Sequence, residues 1–280
     1  MPTTYAHWRF GQDCYNTMPT KFQEIINKYR NLYDLGVHGP DIFFYDLKNS
    51  DVSHYGHTLH TRPAKELFES FKQSYEAHEE KEPMISYLLG FLSHFTLDCY
   101  CHSYVFRKTD VSKVSHNKIE SEFDSYLMMR DGKDPNKVNR AESLRPDEFS
   151  DKIISYFFDK SIKQIEYCTR MQVKVIEFTR CKTKFKRSAL KKVLNIMNKS
   201  DYADLICDDG EFELCKDSNL RLLKLKDKSL KMFPILMNSL LGYFEGKNEL
   251  DKEFDHNFEM WPDYKTIPVL SYKDELEYKV

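Results

Sequence analysis

The sequence predicts an all-α protein, and three observations support this fold class. Only nine of the 280 residues are glycine, and long side chains that favour helices are abundant. Apolar residues recur at intervals of three and four residues in segment after segment. We find no internal repeat, low-complexity tract or strand-rich block. We therefore expect one all-α domain over residues 1–280, a multi-helix bundle around a central helix.

Turn residues divide the first half of the chain into predicted helices and loops. Two segments are expected to be loops because glycine, proline or small polar residues punctuate them: LGVHGPDIFFYD and SDVSHYGHTLH. Asp131-Gly132 should end the last helix of this half. The predicted helices are 18–34, which stops at Gly36, then Arg62–Glu79, Pro83–Val105 and His116–Arg130.

The second half continues the helical pattern but carries no motif that points to chemistry. We treat residues 140–280 as a helical extension of unknown role. Its predicted elements are an apolar helical pattern over 148–180, a basic amphipathic helix KFKRSALKKVLNIM from Lys184, an exposed acidic loop CDDGEFELCKDSN from Cys207, a helix over 220–245 and a tail from Gly246.

Composition and charge restrict the class of protein. A net charge of −2 gives no broad basic field, which argues against a nucleic-acid binder that neutralises phosphates. The first residues lack the pattern of a signal peptide, and the seven cysteines are odd in number without a C-x-x-C pair. A cytoplasmic protein with reduced thiols is the simplest interpretation. The composition does not indicate an oligomeric state.

The most informative segment is MISYLLGFLSHFTLDCYCHSYVF, residues 84–106. It is long enough for a transmembrane helix, but its ionisable groups favour a buried central helix instead. His94, Asp98 and His102 stand four residues apart, so they share one face of a helix. Such groups are costly to bury unless a metal ion compensates them. His94 and His102 would lie about 12 Å apart, which suggests at least two ions.

Other histidines and carboxylates can complete this site. Nine of the ten histidines precede residue 117. His54 and His57 compete with His60 for one ligand position, and His60 is preferred because it stands next to the predicted helix. A lone His-x3-Asp pair is usually only a structural hydrogen bond, but two such pairs on consecutive helices favour a multinuclear site. The further candidates are His7, Asp41, His60, and the i,i+4 pair His116 and Glu120.

These motifs resemble the zinc-dependent phospholipases C, which share an all-α fold with the P1/S1-type nucleases. The matching pieces occur in the family order over residues 1 to about 130: AHWRFG, HGPDIFF, LHTRPAKELF, LSHFTLDCYCHSYV and SHNKIESEFD. The resemblance implies a phospholipase C/P1 nuclease-like bundle whose central helix binds metal. All of the implied metal ligands lie within residues 1–130.

The resemblance also implies how the ligands divide among two or three zinc ions. Asp41, His60 and His94 would hold one ion, with Asp98 bridging to a second that also takes His7. In the family, the amine of the first residue completes that second ion, so Met1 or Pro2 would serve here. The third ion would bind His102, His116 and Glu120. Asp41 would also act as the general base for the attacking water.

The expected function is that of a zinc-dependent hydrolase of the phospholipase C type, which cleaves a phospholipid to diacylglycerol and a phosphorylated head group. A P1/S1-like nuclease or other phosphodiesterase, and a non-catalytic zinc-binding domain, are the alternatives. For three local features, the sequence does not decide between a functional and a structural role. His38 could orient Asp41, the aromatics Phe43, Phe44, Tyr45 and Tyr55 could line a pocket, and the basic helix 184–192 could contact an anionic membrane.

Overall fold

The structure is a computed structural model that describes residues 4–208 and 210–280. Within those ranges the chain forms helices and no β-strand, so the all-α prediction is confirmed. Four segments are 3-10 helices: Gly39–Tyr45, Glu213–Cys215, Lys252–Asp255 and Tyr264–Thr266. The α-helices are α1 (Thr4–Thr17), α2 (Thr20–Lys28), α3 (Arg30–Gly36), α4 (Ser50–Thr61), α5 (Ala64–Ala77), α6 (Lys81–Ser112), α7 (His116–Arg130), α8 (Glu148–Ser155), α9 (Ile162–Thr179), α10 (Lys184–Ile196), α11 (Ser200–Asp204), α12 (Lys216–Phe244) and α13 (Tyr272–Glu277).

Helix α6 is the centre of the fold, as the sequence predicts. Nearly every residue from Pro83 to Val105 is buried on all sides of the helix, because α1, α3 and α12 pack around it. It runs seven residues further than expected and ends where Lys113 adopts a left-handed conformation, with φ 58°. Over the ranges described, no helix has both the length and the apolar character needed to cross a membrane.

Two glycines bring α3 and α6 into backbone contact. A Cβ atom on Gly36 would lie 2.4 Å from the carbonyl oxygen of Tyr87, and one on Gly90 would lie 2.3 Å from that of Tyr33. Gly39, which follows α3, has φ 51°, and a Cβ there would lie 2.4 Å from the ring of His94. These close approaches hold the chain around residue 39 against the face of α6 that carries His94.

The predicted helix over 18–34 is wrong as one piece, because the structure breaks it at Tyr29. This residue has φ −121° and ψ 45°, and its carbonyl accepts a hydrogen bond of 3.0 Å from Ser86 Oγ of α6. The contact with the central helix therefore interrupts the helix that the amphipathic pattern predicts. The rest of the segment forms α2 and α3.

Both predicted loops of the first half are helical, so those predictions are corrected. Residues Gly39–Tyr45 form a buried 3-10 helix with a proline in its first turn. The polar stretch after it is α4, which starts when the side chain of Asn49 accepts a bond from Asp51 N at 3.0 Å. Burial of Val52, Gly56 and Leu59 on one face stabilises α4, although polar residues dominate its composition.

The second half follows the expected pattern with shifted boundaries. The pattern over 148–180 divides into α8 and α9, because Ser161 and Gln164 form a capping box that starts a new helix. The predicted acidic loop is shorter than expected, since a 3-10 turn occupies Glu213–Cys215 and α12 begins at Lys216. All seven cysteines are free and buried.

Candidate metal centre

The eight predicted metal ligands come from five elements that meet around α6. Seven of them are buried side chains, and His116 is half-buried. They are His7 on α1, Asp41 in the 3-10 helix Gly39–Tyr45, His60 on α4, His94, Asp98 and His102 on α6, and His116 and Glu120 on α7.

Asp98 lies at the centre of this cluster. Its Oδ1 is 3.1 Å from His7 Nε2 and 3.6 Å from His102 Nδ1, and its Oδ2 is 2.9 Å from His94 Nε2. The rings of His7 and His94 stack with their centroids 4.1 Å apart. One carboxylate therefore contacts histidines from both ends of the stripe on α6.

Asp41 joins α4 to the same end of the cluster. Its Oδ1 is 3.0 Å from His60 Nε2, and its Oδ2 is 3.7 Å from His94 Nε2. His54 and His57, the competing candidates on α4, are exposed. His60 therefore occupies the position nearest the cluster, although it stands inside α4 rather than before a helix.

Glu120 organises the other end. Its Oε1 is 2.9 Å from His102 Nε2 and 3.0 Å from His116 Nε2, and the rings of the two histidines lie 5.3 Å apart. This trio combines the α6 stripe with the i,i+4 pair of α7. It is the same set that the resemblance implied for one ion.

The ligand atoms fall into three groups in which all members lie within 4.8 Å of one another. At the Asp41 end the division differs from the implied one, because His7 lies beside Asp41 and His94 rather than with Asp98 alone. Met1 and Pro2, named as sources of an amine ligand, lie outside the described residues. The groups are His7, Asp41 and His94; His60, His94 and Asp98; and His102, His116 and Glu120.

Three of the histidines are oriented by backbone carbonyls. His60 Nδ1 donates to Gly56 O at 2.7 Å, His94 Nδ1 to Val37 O at 3.2 Å, and His102 Nδ1 to Phe258 O at 2.5 Å. Because a carbonyl can only accept, the proton of each neutral ring is on Nδ1 and the lone pair is on Nε2. Those lone pairs face carboxylate oxygens, so a cation between them is required unless the rings are protonated.

Several polar atoms in the cluster are buried without a hydrogen-bond partner. Such atoms carry a free-energy cost that a coordinated cation removes. The side chains of His and carboxylate type are also the ligands that zinc takes without thiolates. The residues therefore fit a zinc centre. The orphaned atoms of the cluster among the described residues are His7 Nδ1, Asp41 Oδ2 and Glu120 Oε2, and His94 Nε2 and Asp98 Oδ2 face each other at 2.9 Å without hydrogen-bond geometry.

The mutual charges shift the protonation of the cluster. Burial alone would lower the pKa of His102, but the carboxylates of Asp98 and Glu120 outweigh it and raise the pKa to about 10. The pKa of Asp98 lies well below its ordinary value despite burial, because histidines surround it. Burial lowers the pKa of His38 to about 3, so this ring is neutral. The field of the cluster therefore attracts positive charge strongly.

Two cavities reach the candidate ligands. A small one of about 20 Å³, bounded by His7, Asp98, His102 and Glu120 among others, has room for a single ion or water. A larger one of about 300 Å³ lies over both ends of the cluster. Its lining residues are Asp41, Phe44, His57, His60, His102, Phe106, His116, Asn117 and Glu259.

Two contributors had no signal in the sequence, and a third, Asp124, had a spacing that left it open between a supporting role beside the ligands and a surface position. The Phe258 carbonyl and the Glu259 side chain come from the tail, and the role of a backbone carbonyl cannot be read from residue type. Asp124 is fully buried and accepts bonds from Tyr5 N at 3.0 Å and Ala6 N at 2.7 Å, which fixes the start of α1. Its spacing of four from Glu120 on α7 was the available clue.

The residues that the sequence left open now have positions. The ring of His38 is buried with no partner for Nε2 within the described chain, so it does not orient Asp41 through that atom. Phe43 and Tyr45 belong to the core, whereas Phe44 lines the larger cavity.

Comparison with known proteins identifies a family that the sequence matches. A model of the family described as zinc dependent phospholipase C matches residues 6–177, which is more than half of the chain. No curated protein and no solved structure matches the sequence. The matched region extends past the motifs at 1–130 and ends within α9.

Proposed function

Because the chain belongs to the zinc-dependent phospholipase C family, we propose that it cleaves the glycerol–phosphate bond of a phospholipid. The products are diacylglycerol and a phosphorylated head group. One observation carries this proposal: the cavity of about 300 Å³ is lined by Asp41 and His60 from one end of the cluster and by His102 and His116 from the other. A phosphodiester in that cavity would contact residues from both ends of the cluster at once.

The eight side chains of the cluster would hold two or three zinc ions. When bound, zinc neutralises charge on a phosphoryl group and lowers the pKa of water toward neutrality. One set of zinc ligands at the cavity would be His102, His116 and Glu120. The other set would be His7, Asp41, His60, His94 and Asp98.

Asp41 is proposed as the general base. Its Oδ1 is occupied by the contact with His60 at 3.0 Å, whereas its buried Oδ2 accepts no hydrogen bond within the described residues. The side chain borders the larger cavity, so this oxygen is available to take a proton from an attacking water. His60 is itself fixed by Gly56 O, which holds the carboxylate in place.

The walls of the cavity favour a lipid whose head group is cationic. Phe44 and Phe106 present aromatic rings, and Glu259 adds a carboxylate that lies outside the metal-binding groups. A choline or ethanolamine group is attracted by both kinds of side chain. An anionic head group would instead be repelled by Glu259.

The function is tested by measuring zinc content and hydrolysis on the same preparation. We expect turnover of phosphatidylcholine with zinc bound, and loss of turnover in His60→Gln. His54→Gln is the matched control, because His54 is an exposed histidine on the same helix. Hydrolysis of single-stranded DNA or bis-p-nitrophenyl phosphate without lipid turnover would replace the proposal with a nuclease or another phosphodiesterase. Zinc binding without any hydrolysis would indicate a non-catalytic domain.

A further inference from the structure

Helix α10 has an apolar face that no other element within residues 4–208 and 210–280 covers. The helix packs on the protein through Arg187, Leu190, Lys191 and Leu194, which are buried or half-buried and recur at helical spacing. On the opposite side, Phe185 is 85% exposed, Val193 51% and Ile196 72%. Ala189 lies between them on the same stripe and is also exposed. An amphipathic helix normally buries its apolar side, so this second stripe needs another explanation.

Neighbouring apolar residues extend the stripe. Phe178, at the end of α9, is 60% exposed, and Met197, just after α10, is 62% exposed. The backbone carbonyl of Phe178 accepts a bond of 3.0 Å from Lys186 Nζ, which holds this residue beside the helix. We call residues 178–199 that carry this stripe the α10 face.

The α10 face is strongly cationic although the protein as a whole is not. Residues 178–199 contain eight lysines and arginines and no acidic residue, against a net charge of −2 for the chain. At about 100° per residue, Lys192 and Lys186 flank the apolar stripe on opposite borders. The eight are Arg180, Lys182, Lys184, Lys186, Arg187, Lys191, Lys192 and Lys199.

We propose that the α10 face docks the protein on an anionic phospholipid bilayer. Lysines that border an exposed apolar stripe are the pattern of a helix that lies in a membrane interface, with the apolar side chains among the acyl chains and the ammonium groups at the phosphates. This inference rests on the proposed function, because an enzyme that cleaves lipids must reach its substrate in a bilayer.

Charge and apolar character favour a bilayer on the α10 face over a second copy of the chain or a nucleic acid. A second copy of the chain would bring two sets of exposed lysines together across a two-fold contact, which is repulsive; Lys182, Lys186, Lys192 and Lys199 are among them. A nucleic acid would pair with the lysines but would leave the aliphatic part of the stripe, Val193 and Ile196, in water. A bilayer alone satisfies both the lysines and the apolar side chains.

A short chain of ion pairs connects the packed side of α10, opposite the apolar stripe, to helix α7. Lys191 Nζ lies 2.5 Å from Asp208 Oδ1, and Lys118 Nζ lies 2.6 Å from Asp208 Oδ2. Lys118 is two residues from His116, which borders the larger cavity. Ser115 Oγ, at the start of the same helix, donates to Asp204 Oδ2 at 2.5 Å. A docked α10 would therefore lie between the bilayer and α7, the helix that carries His116 and Glu120.

The test is flotation of the full-length protein with vesicles of phosphatidylcholine alone or mixed with phosphatidylglycerol. We expect binding to the mixed vesicles only, weakened by salt. Phe185→Ser with Ile196→Ser should reduce the partition coefficient by about tenfold or more, and Lys182→Gln with Lys192→Gln by about fivefold per lysine. Leu276→Ser with Lys273→Gln is the matched control, because it makes the same changes on the exposed side of α13.

Hydrolysis of a soluble short-chain phospholipid separates this inference from the proposed function. All variants should keep the zinc content and this turnover of the unaltered protein, since none lies in the cluster or its cavities. An inactive protein that still floats would contradict the function and leave docking supported. Equal flotation of the α10-face variants and the control would overturn the inference. The inference would also be overturned if the protein self-associated, or bound single-stranded DNA in preference to vesicles, and the same substitutions abolished that binding.

Discussion

His102 Nδ1 donates a hydrogen bond of 2.5 Å to the backbone carbonyl of Phe258, across 156 positions of sequence. The bond fixes the ring so that Nε2 faces Glu120 at 2.9 Å. Orientation of this kind raises the basicity of a histidine ligand and holds its geometry. The tail of the chain is therefore part of the candidate metal centre, although the predicted ligands all lie in the first half.

Replacement of Asp41 by Asn should separate catalysis from metal binding. Asn retains an oxygen near His60 but cannot take a proton, so we expect kcat to fall by about 10²–10⁴-fold while zinc content falls much less. Steady-state kinetics and elemental analysis of one preparation measure both. Equal losses of turnover and zinc would make Asp41 a structural ligand instead.

Removal of the metal should destabilise the fold. Without a cation, Asp41 and Glu120 keep buried oxygens that have no hydrogen-bond partner, and the carboxylates of Asp98 and Glu120 hold His102 in its charged form by raising its pKa to about 10. We expect zinc at 100 to 1,000 times its Kd to add about 3–4 kcal/mol to the free energy of unfolding. A chelator should lower Tm, and added zinc should restore it. A Tm that does not respond to chelation would contradict a structural role for the ions.

Asp124 should affect zinc binding because it holds the start of α1, the helix that carries His7. Asn at this position keeps only one acceptor for the two backbone N–H groups of Tyr5 and Ala6, so we expect a loss of about 1–2 kcal/mol in stability. Displacement of His7 should weaken zinc affinity by about 10–100-fold. Asp147→Asn is the control, because Asp147 caps α8, which carries no predicted ligand. If both variants bind zinc equally well, Asp124 has no part in the site.

The buried carboxyl of Asp151 predicts a pH dependence of stability away from the metal centre. Burial raises its pKa to about 6, only partly offset by the bond from Thr169 Oγ1. The folded protein therefore holds a proton that the unfolded chain releases near pH 4, and this contribution is lost as pH rises from about 4 to about 6. Asp151→Asn should raise the free energy of unfolding by about 1–2 kcal/mol at pH 7.

The same substitution should have less effect at about pH 3, below the pKa of either state, where Asp151 is mostly protonated in both. Urea denaturation at the two pH values provides the comparison. A gain of the same size at both would show that Asp151 does not titrate between them.

Glu259 should select the head group. Its replacement by Gln removes a negative charge from the wall of the larger cavity, so kcat/KM for phosphatidylcholine should fall by about tenfold relative to phosphatidylglycerol. Glu277→Gln, an exposed glutamate on α13, should leave the ratio unchanged. An unchanged ratio in Glu259→Gln would show that the head group does not lie against this residue.

The sequence was sufficient to predict the parts of the site that depend on spacing along one helix. The stripe of His94, Asp98 and His102 and the pair of His116 and Glu120 follow from helical periodicity, and the structure places them as neighbours. Whether they bind zinc stays a prediction. The contributions that sequence could not give, such as the Val37 and Phe258 carbonyls, are backbone groups brought in by tertiary packing.

Secondary structure was harder to predict from the sequence where polar residues form a helix. Residues 50–60 were expected to be a loop because small polar residues and histidines dominate them, yet only Val52, Gly56, Leu59 and His60 are buried when α4 packs. The break at Tyr29 was equally invisible, since it depends on Ser86 of a distant helix. Both cases show tertiary contacts overriding local pattern.

The glycine contacts between α3 and α6 set the distance between ligands on separate elements. Gly36 and Gly90 allow the two backbones to touch, and Gly39 leaves room for the ring of His94, so a single added methyl group would push Asp41 away from its partners. In an assay, an alanine at any of these three positions would look like the loss of a chelating residue. Mutational surveys that score only histidines and carboxylates would overlook them.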